Sequence, residues 1–525
     1  MTRFNIAAAF LAFSFVISGC CEPLPPKKPT VPKPPVVEID TEPEPPPPVD
    51  IPFVILPADK SGSVSFRFVF NTGSSEDPAT MQGIANLTAT LMAQGGTTDL
   101  TYPELTQALF PMAAEIGLHV GRDQTVFYGR VHADMAQRYY SLMRDVLVNP
   151  RLDQEGLNRV MDRAKTALTL SLRGNDDEEL GKAALALKMY GDHPYGPPTL
   201  GTEAGLSAIT LDDIKSHRAA IFCASRLTVG LSGNIPEDLE ERIREDMKDL
   251  PGDCEERAQL PEPPEPNGRE VLLVDKPGAE STAISIGFPL HIRRGDQDYA
   301  ALKLVEAYFG QHRTFSGKLQ EALRVQRGFN YGNYAYVEHF EQEGWSRVPK
   351  TNVGQRQQHF SIWIRPVGDQ NKHFVLRMAL SELNALVQNG ITQEVLDRTR
   401  TFMKRYYLTF AQTEQQRLGF AIDDRFYGQD SEYFETLFAA LDKLTVEIVN
   451  TAIKKHLTSD KLFIAMVTKD AEKLADAIAA DTPSPVTYES AKPKEVTEHD
   501  NEIQSIGLSI PRDSITIIPV NKIFE

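Results

Sequence analysis

From residue 51 onward the chain follows one plan twice. The strand-like run Ser65-Phe-Arg-Phe-Val-Phe70 has a counterpart in Ala283-Ile-Ser-Ile-Gly-Phe288. The helical pattern opened by Asn149-Pro-Arg-Leu-Asp-Gln-Glu returns at Asn389-Gly-Ile-Thr-Gln-Glu. Leu180-Gly181, leading to Tyr190-Gly191, recurs as Leu418-Gly419 leading to Tyr427-Gly428. Finally, a helix starting at Thr210 runs into the strand from Leu227, and its echo starts at Thr445 and runs into Leu462. The offsets stay between 218 and 240 residues, in unchanged order. Repetition on this scale means two units of one design. In each, strands come first, then long helices, then a helix feeding a last strand. Such segregation predicts an α+β fold, each half a mostly antiparallel sheet with helices on one side.

The spacing sets the boundaries: a first half over 51–259, a linker over 260–269 (Leu260-Pro-Glu-Pro-Pro-Glu-Pro-Asn-Gly268), a second half over 270–492, and a tail over 493–525 whose Ser514–Val520 reads as a strand packing on the body. Residues 1–19 read as a signal peptide, with Arg3 before a 12-residue apolar stretch from Ile6 to Ile17, too short for a permanent span. Its end, Ile17-Ser-Gly-Cys20, resembles a bacterial lipobox, which implies lipidation of Cys20 and anchoring in the cell envelope. Cys21 is not the aspartate that retains such proteins at the inner membrane, so the resemblance implies the outer membrane, facing the periplasm. Residues 20–50 then carry the lipid and a stalk, since 12 of positions 22–50 are proline and such a segment extends rather than packs.

Charge and cysteine content narrow the function. With 55 Lys+Arg against 72 Asp+Glu the net charge is −17, which argues against a nucleic-acid partner; a local basic patch stays open, although no basic run exceeds two residues. Four cysteines in 525 residues exclude a disulfide scaffold and a cysteine-rich zinc module. Cys223 and Cys254 allow two states: a disulfide in an oxidising compartment, or a buried thiol beside an exposed one.

Two stretches carry a family resemblance. Gly83-Ile-Ala-Asn-Leu-Thr-Ala-Thr-Leu-Met-Ala-Gln-Gly-Gly-Thr97 resembles the first active-site helix of the M16 (pitrilysin/insulinase/mitochondrial processing peptidase) family, and His193-Pro-Tyr-Gly-Pro-Pro-Thr-Leu-Gly201 resembles another of its hallmarks. Active members carry H-x-x-E-H on that helix: two imidazoles bind zinc and the glutamate activates water. The motif falls here on Asn86, Ala89 and Thr90, and no glutamate lies between Glu155 and Glu178 to supply the further ligand. No two of the 11 histidines are closer than 13 positions, so no helix bears a histidine pair. Glu338-His339-Phe-Glu341-Gln-Glu343 has metal-like composition but reads as a solvated loop.

Ser316-Gly-Lys-Leu-Gln-Glu-Ala-Leu-Arg324, followed by Gly328 and Tyr331, resembles the family's Arg/Tyr element, which implies that Arg324 and Tyr331 bind substrate. Guanidinium and phenol are fixed-geometry donors suited to peptide carbonyls and a developing oxyanion. Zinc motif lost and Arg/Tyr kept is the pattern of one subunit of a split M16 peptidase. The resemblance therefore implies a non-catalytic, substrate-binding chain without a cofactor of its own. Its partner, a different chain or a second copy, would bring the zinc, and short unfolded peptides would be the substrate. In that family substrate adds to a sheet edge, which here falls on Leu118–Val126. The competing expectation is a binding or scaffold lipoprotein of an envelope assembly, without proteolysis. An autonomous hydrolase is disfavoured, since no G-x-S-x-G, P-loop or dinucleotide fingerprint is present.

Overall fold

The computed structural model describes residues 50–525 apart from 255, 343 and 489. Cys20, the signal peptide and all but the end of the stalk lie outside the described residues. Aromatic and β-branched alternation produces eleven strands: β1 (Phe53–Pro57), β2 (Ser63–Phe70), β3 (Gly117–Val120), β4 (Thr125–His132) and β5 (Leu227–Gly233) in the first half, then β6 (Arg269–Asp275), β7 (Ser281–Leu290), β8 (Asn333–Tyr336), β9 (Gln358–Gly368), β10 (Leu462–Thr468) and β11 (Ile515–Pro519). They form two mixed sheets, in the orders β1-β5-β2-β4-β3 and β11-β6-β10-β7-β9-β8. The second repeats the first strand for strand. The parallel pair β1–β5 corresponds to β6–β10, and the three antiparallel pairings of the first sheet recur in the second. The tail strand β11 is the one addition, lying parallel on β6.

Helices repeat as the strands do. The first half holds α1 (Ile84–Gln94), α2 (Ala136–Val148), α3 (Gln154–Thr166), α4 (Asp177–Tyr190) and α5 (Leu211–Ile221). The second holds α6 (Tyr299–Gly310), α7 (Lys372–Asn389), α8 (Gln393–Tyr406), α9 (Glu414–Phe426) and α10 (Val446–His456). Caps fix their starts: the Thr210 hydroxyl accepts from Asp213 N–H while the Asp213 carboxylate accepts from Thr210 N–H, and Thr445 accepts from Ile448 N–H at the equivalent helix.

Alternation along the strands gives each sheet two apolar faces. Phe66, Phe68 and Phe70 of β2 point to one face and pack with Ala89 and Met92 of α1 and Tyr139, Tyr140 and Met143 of α2. The opposite face carries Val69 and Val126, and its cover comes from the other half, as Leu418 and Ile422 of α9. Reciprocally, Leu180, Ala184, Leu185 and Met189 of α4 pack with Leu272, Val274, Ala283, Phe463 and Val467 of the second sheet. The expected helices on one side only are thus corrected: each sheet is covered by its own helices on one face and by a helix of the other half on the second. An isolated sheet with two apolar faces would leave one in water, and the exchange removes both exposures together.

Candidate functional site

At the start of α1 the half-buried Asp77 carboxylate accepts from the N–H groups of Gly83 and Ala85 at 2.7 and 3.0 Å, and Gly83 stands at φ +101°, a conformation that favours glycine. Along α1, Asn86 and Thr90 are one turn apart and half-buried, lining a cavity of about 680 Å³, while Ala89 is fully buried against the sheet. The same cavity is bordered by His119 of β3 and, from the second half, by Glu341 and Lys350 of the long β8–β9 connection.

Lys350 Nζ donates to His119 Nδ1 at 2.8 Å, which leaves Nε2 of that ring facing Glu341 at 3.3 Å. His339 Nε2 lies 3.2 Å from the other carboxylate oxygen. Burial alone would push the Glu341 carboxyl up, but the imidazoles of His119 and His339 hold it well below the ordinary range. An amide, a methyl and a hydroxyl on α1 offer no zinc ligand set, and the Lys350 ammonium beside them repels a divalent cation. The residues present do not fit the metal of the family motif. Among the described residues no group of three or more His, Cys, Asp or Glu is placed to hold a metal ion.

Two expectations are corrected here. Leu118–Val126 is not one edge strand: β3 ends at Val120, a turn over 121–124 follows, and the edge is β3 alone. Nor is the segment from Glu338 a solvated loop. Glu338 is buried, accepting from Arg294 Nε at 3.0 Å and Tyr299 Oη at 3.0 Å, with Lys303 Nζ at 3.3 Å. Burial opposes its ionisation, yet Arg294 and Lys303 bring its carboxyl down to about 2. Glu343 lies outside the described residues.

Arg324 and Tyr331 do come together. Arg324 sits in a short π-wound stretch, Glu321–Val325, of the kind that re-aims side chains at functional sites. The chain then reverses at Gly328 (φ +77°), and Arg324 Nη1 donates to the Tyr331 carbonyl at 3.2 Å. The Arg324 guanidinium carbon lies 4.9 Å from the Phe315 ring centre and 5.5 Å from that of Tyr331. The Tyr331 ring is 77% exposed at the mouth of an open cleft of about 690 Å³. Three further arginines, Arg313, Arg347 and Arg365, line it with Phe315 and Trp345. Sequence reading missed these: they spread over 53 positions (313 to 365) with no shared motif. The one available signal was Trp345, one of two tryptophans in the chain, set in a polar segment. The β8–β9 connection borders both places, with Glu341 and Lys350 at the α1 cavity and Arg347 at the arginine cleft.

The structure bonds Cys223 to Cys254, with Cα atoms 5.8 Å apart, so the disulfide is the alternative realised of the two.

Comparison with known proteins adds the following. A profile described as "Insulinase (Peptidase family M16)" matches residues 53–203, and one described as "Peptidase M16 inactive domain" matches residues 208–403. A Helicobacter pylori protein named "non-peptidase homolog YmxG" is 23% identical over 403 residues, covering 77% of this chain and 88% of its own. An uncharacterized zinc protease of Mycobacterium leprae is 27% identical over 296 residues, covering 55% of this chain and 64% of its own. Among solved structures, the peptidase M16 inactive domain from Pseudomonas fluorescens superposes with a TM-score of 0.70 at 23% identity, over 79% of this chain and 95% of that one.

Proposed function

The chain belongs to the M16 family of insulinase-like peptidases, and from that premise we propose that it is a non-catalytic, peptide-gripping subunit working beside a zinc-bearing M16 chain. The observation that carries this reading is the pairing of an α1 without metal ligands and a cleft in which Arg324 and Tyr331 are held together and open to solvent. Guanidinium and phenol donors can hold the backbone carbonyls of an extended peptide. Aimed across at a partner's reacting carbonyl, they stabilise the developing oxyanion by about 3 kcal/mol per donor. The match of residues 208–403 to an inactive-domain profile and the naming of the Helicobacter pylori relative as a non-peptidase homolog agree with a chain that does not cleave by itself. In this reading a lipid on the lipobox-like Cys20 would hold the pair at the outer membrane facing the periplasm, and the zinc would be the partner's.

The test is a pull-down of the full-length protein from its own membrane with zinc analysis of what accompanies it, followed by reconstitution. A stoichiometric zinc-bearing M16 chain is expected, with Arg324→Ala and Tyr331→Phe each lowering joint peptidase activity by about 10²-fold. Full activity with both variants, or recovery of the protein alone and metal-free, defeats the proposal and leaves the scaffold alternative.

A further inference from the structure

We propose that the cleft beside Arg324 and Tyr331 selects acidic peptide segments, chains in which carboxylates sit next to aromatic or apolar residues. This rests on the peptide-gripping reading above and names its substrate class.

The first observation is a local reversal of sign. The chain carries −17 overall, yet this cleft is lined by four arginines and by no carboxylate among the described residues. One of the four is neutralised: Arg365 Nε donates to Glu178 at 2.8 Å. The other three have no carboxylate partner among the described residues. Arg347 is exposed and has neither an ion pair nor a hydrogen bond there. Arg324 donates to a carbonyl. Arg313 donates through Nη2 to the Gly344 carbonyl at 2.8 Å, while its buried Nε has no partner. A guanidinium fork left without an anion is the geometry that takes a carboxylate in two parallel hydrogen bonds.

The second observation is apolar. Phe315, Tyr331 and Trp345 are 65, 77 and 86% exposed, and all three border this one cleft. Large rings kept in water side by side mark a binding surface rather than chance exposure. The rings also orient the cations: the Arg313 guanidinium lies 5.1 Å from the Trp345 ring centre, and Arg324 lies over Phe315. Stacking occupies guanidinium faces and leaves their edges, where the N–H groups are, for a ligand. Alternating cations and rings fit a peptide that alternates carboxylates and aromatic or apolar side chains. A nucleic acid would offer anions and bases as well, but a long polyanion meets the repulsion of the whole negative molecule, whereas a segment with two or three carboxylates meets only the patch.

The experiment uses the full chain and a fluorescein-labelled 12-residue peptide carrying three Glu-Phe pairs, with Gln-Phe, Lys-Phe and C-terminally amidated Glu-Phe versions and a 12-nucleotide oligothymidine. Fluorescence anisotropy reads binding, and Trp345 emission, with Trp345→Phe as control, reads its place. We expect the Glu peptide to bind at least tenfold tighter than the Gln peptide, with affinity falling as salt rises. Arg347→Gln and Arg313→Gln should each shrink that preference several-fold; Arg347 is exposed and makes no ion pair or hydrogen bond among the described residues, so its change leaves the fold intact. If amidation, rather than Glu→Gln, removes the preference, the recognised carboxylate is the chain terminus. Equal binding of Glu and Gln peptides, both weakened by Arg324→Ala, overturns the acidic selection and leaves the gripping role standing. Binding of no peptide defeats the gripping role itself. Oligothymidine binding as tight as the Glu peptide overturns the choice of ligand class.

Discussion

His312 has 1% of its surface exposed, its Nδ1 lies 2.7 Å from the Tyr336 hydroxyl, and its ring is packed among Tyr334, Tyr336 and Phe340. Burial, and then the neighbouring Arg313, pushes its imidazole down to about 3. An unfolded chain takes up that proton near pH 6.5, so the contribution to stability is present above about 6.5 and is lost as pH falls toward 3, by about 1.4 kcal/mol per pH unit. Glu338, brought down to about 2, acts in the same direction over a lower range, from about 4.3 downward. His312→Gln keeps a hydrogen-bonding side chain but removes the titration. In urea melts from pH 7 to pH 5 the variant should lose less stability than the parent, by about 1 to 2 kcal/mol, and parallel losses would contradict the assignment. At this scale the sequence was legible where a motif is local. Arg324 and Tyr331 are seven positions apart and found each other in space, whereas Arg313, Arg347 and Arg365 meet only because β9 returns beside the turn before β8. The segment from Glu338 was misread because a charged composition resembles a solvated loop until its partners are known. For Glu341 one of those is His119, 222 positions earlier in the chain.

The two Leu-Gly landmarks turn out to be the points where helices cross between halves. On α4, a Cβ at Gly181 would meet Ser285 Oγ at 3.4 Å and the Ala283 Cβ at 3.6 Å of the second sheet, ordinary contact distances. On α9, a Cβ at Gly419 would overlap Thr351, whose hydroxyl accepts from Arg67 Nη1 at 2.9 Å. Alanine also suits a helix interior better than glycine by up to about 1 kcal/mol. Gly181→Ala should therefore be neutral or stabilising by up to about 1 kcal/mol, and Gly419→Ala destabilising by about 1–3 kcal/mol through overpacking. Denaturant midpoints of the two variants check this, and equal shifts would show that the repeat's two glycines serve one common purpose. Element order and the helix starts at Thr210 and Thr445 were legible because each is written in about ten consecutive residues. The crossing was not, since an apolar helix face looks the same whichever sheet it covers.

Taken whole, the molecule joins two copies of one plan with a linker, an edge strand and a disulfide. The Cys223–Cys254 bond closes a segment of 31 positions between the end of α5 and the approach to that linker. Such a closure restricts the unfolded chain, worth about 3–4 kcal/mol. Cys254→Ser should lower the stability of the first half by that amount, and a reductant should lower the parent's melting temperature but not the variant's. The doubling was fully visible in the sequence, and so was a returning tail strand. Its place on β6 was not, because a lone strand carries no mark of its neighbour. The exchanged helices have a further consequence, and it concerns time. The first sheet is not complete without residues that emerge from the ribosome almost 200 positions after its last strand, for Val69 and Val126 wait for Leu418 and Ile422. The first half cannot finish before about four-fifths of the chain exists, so a growing chain keeps one apolar sheet face uncovered until late in synthesis.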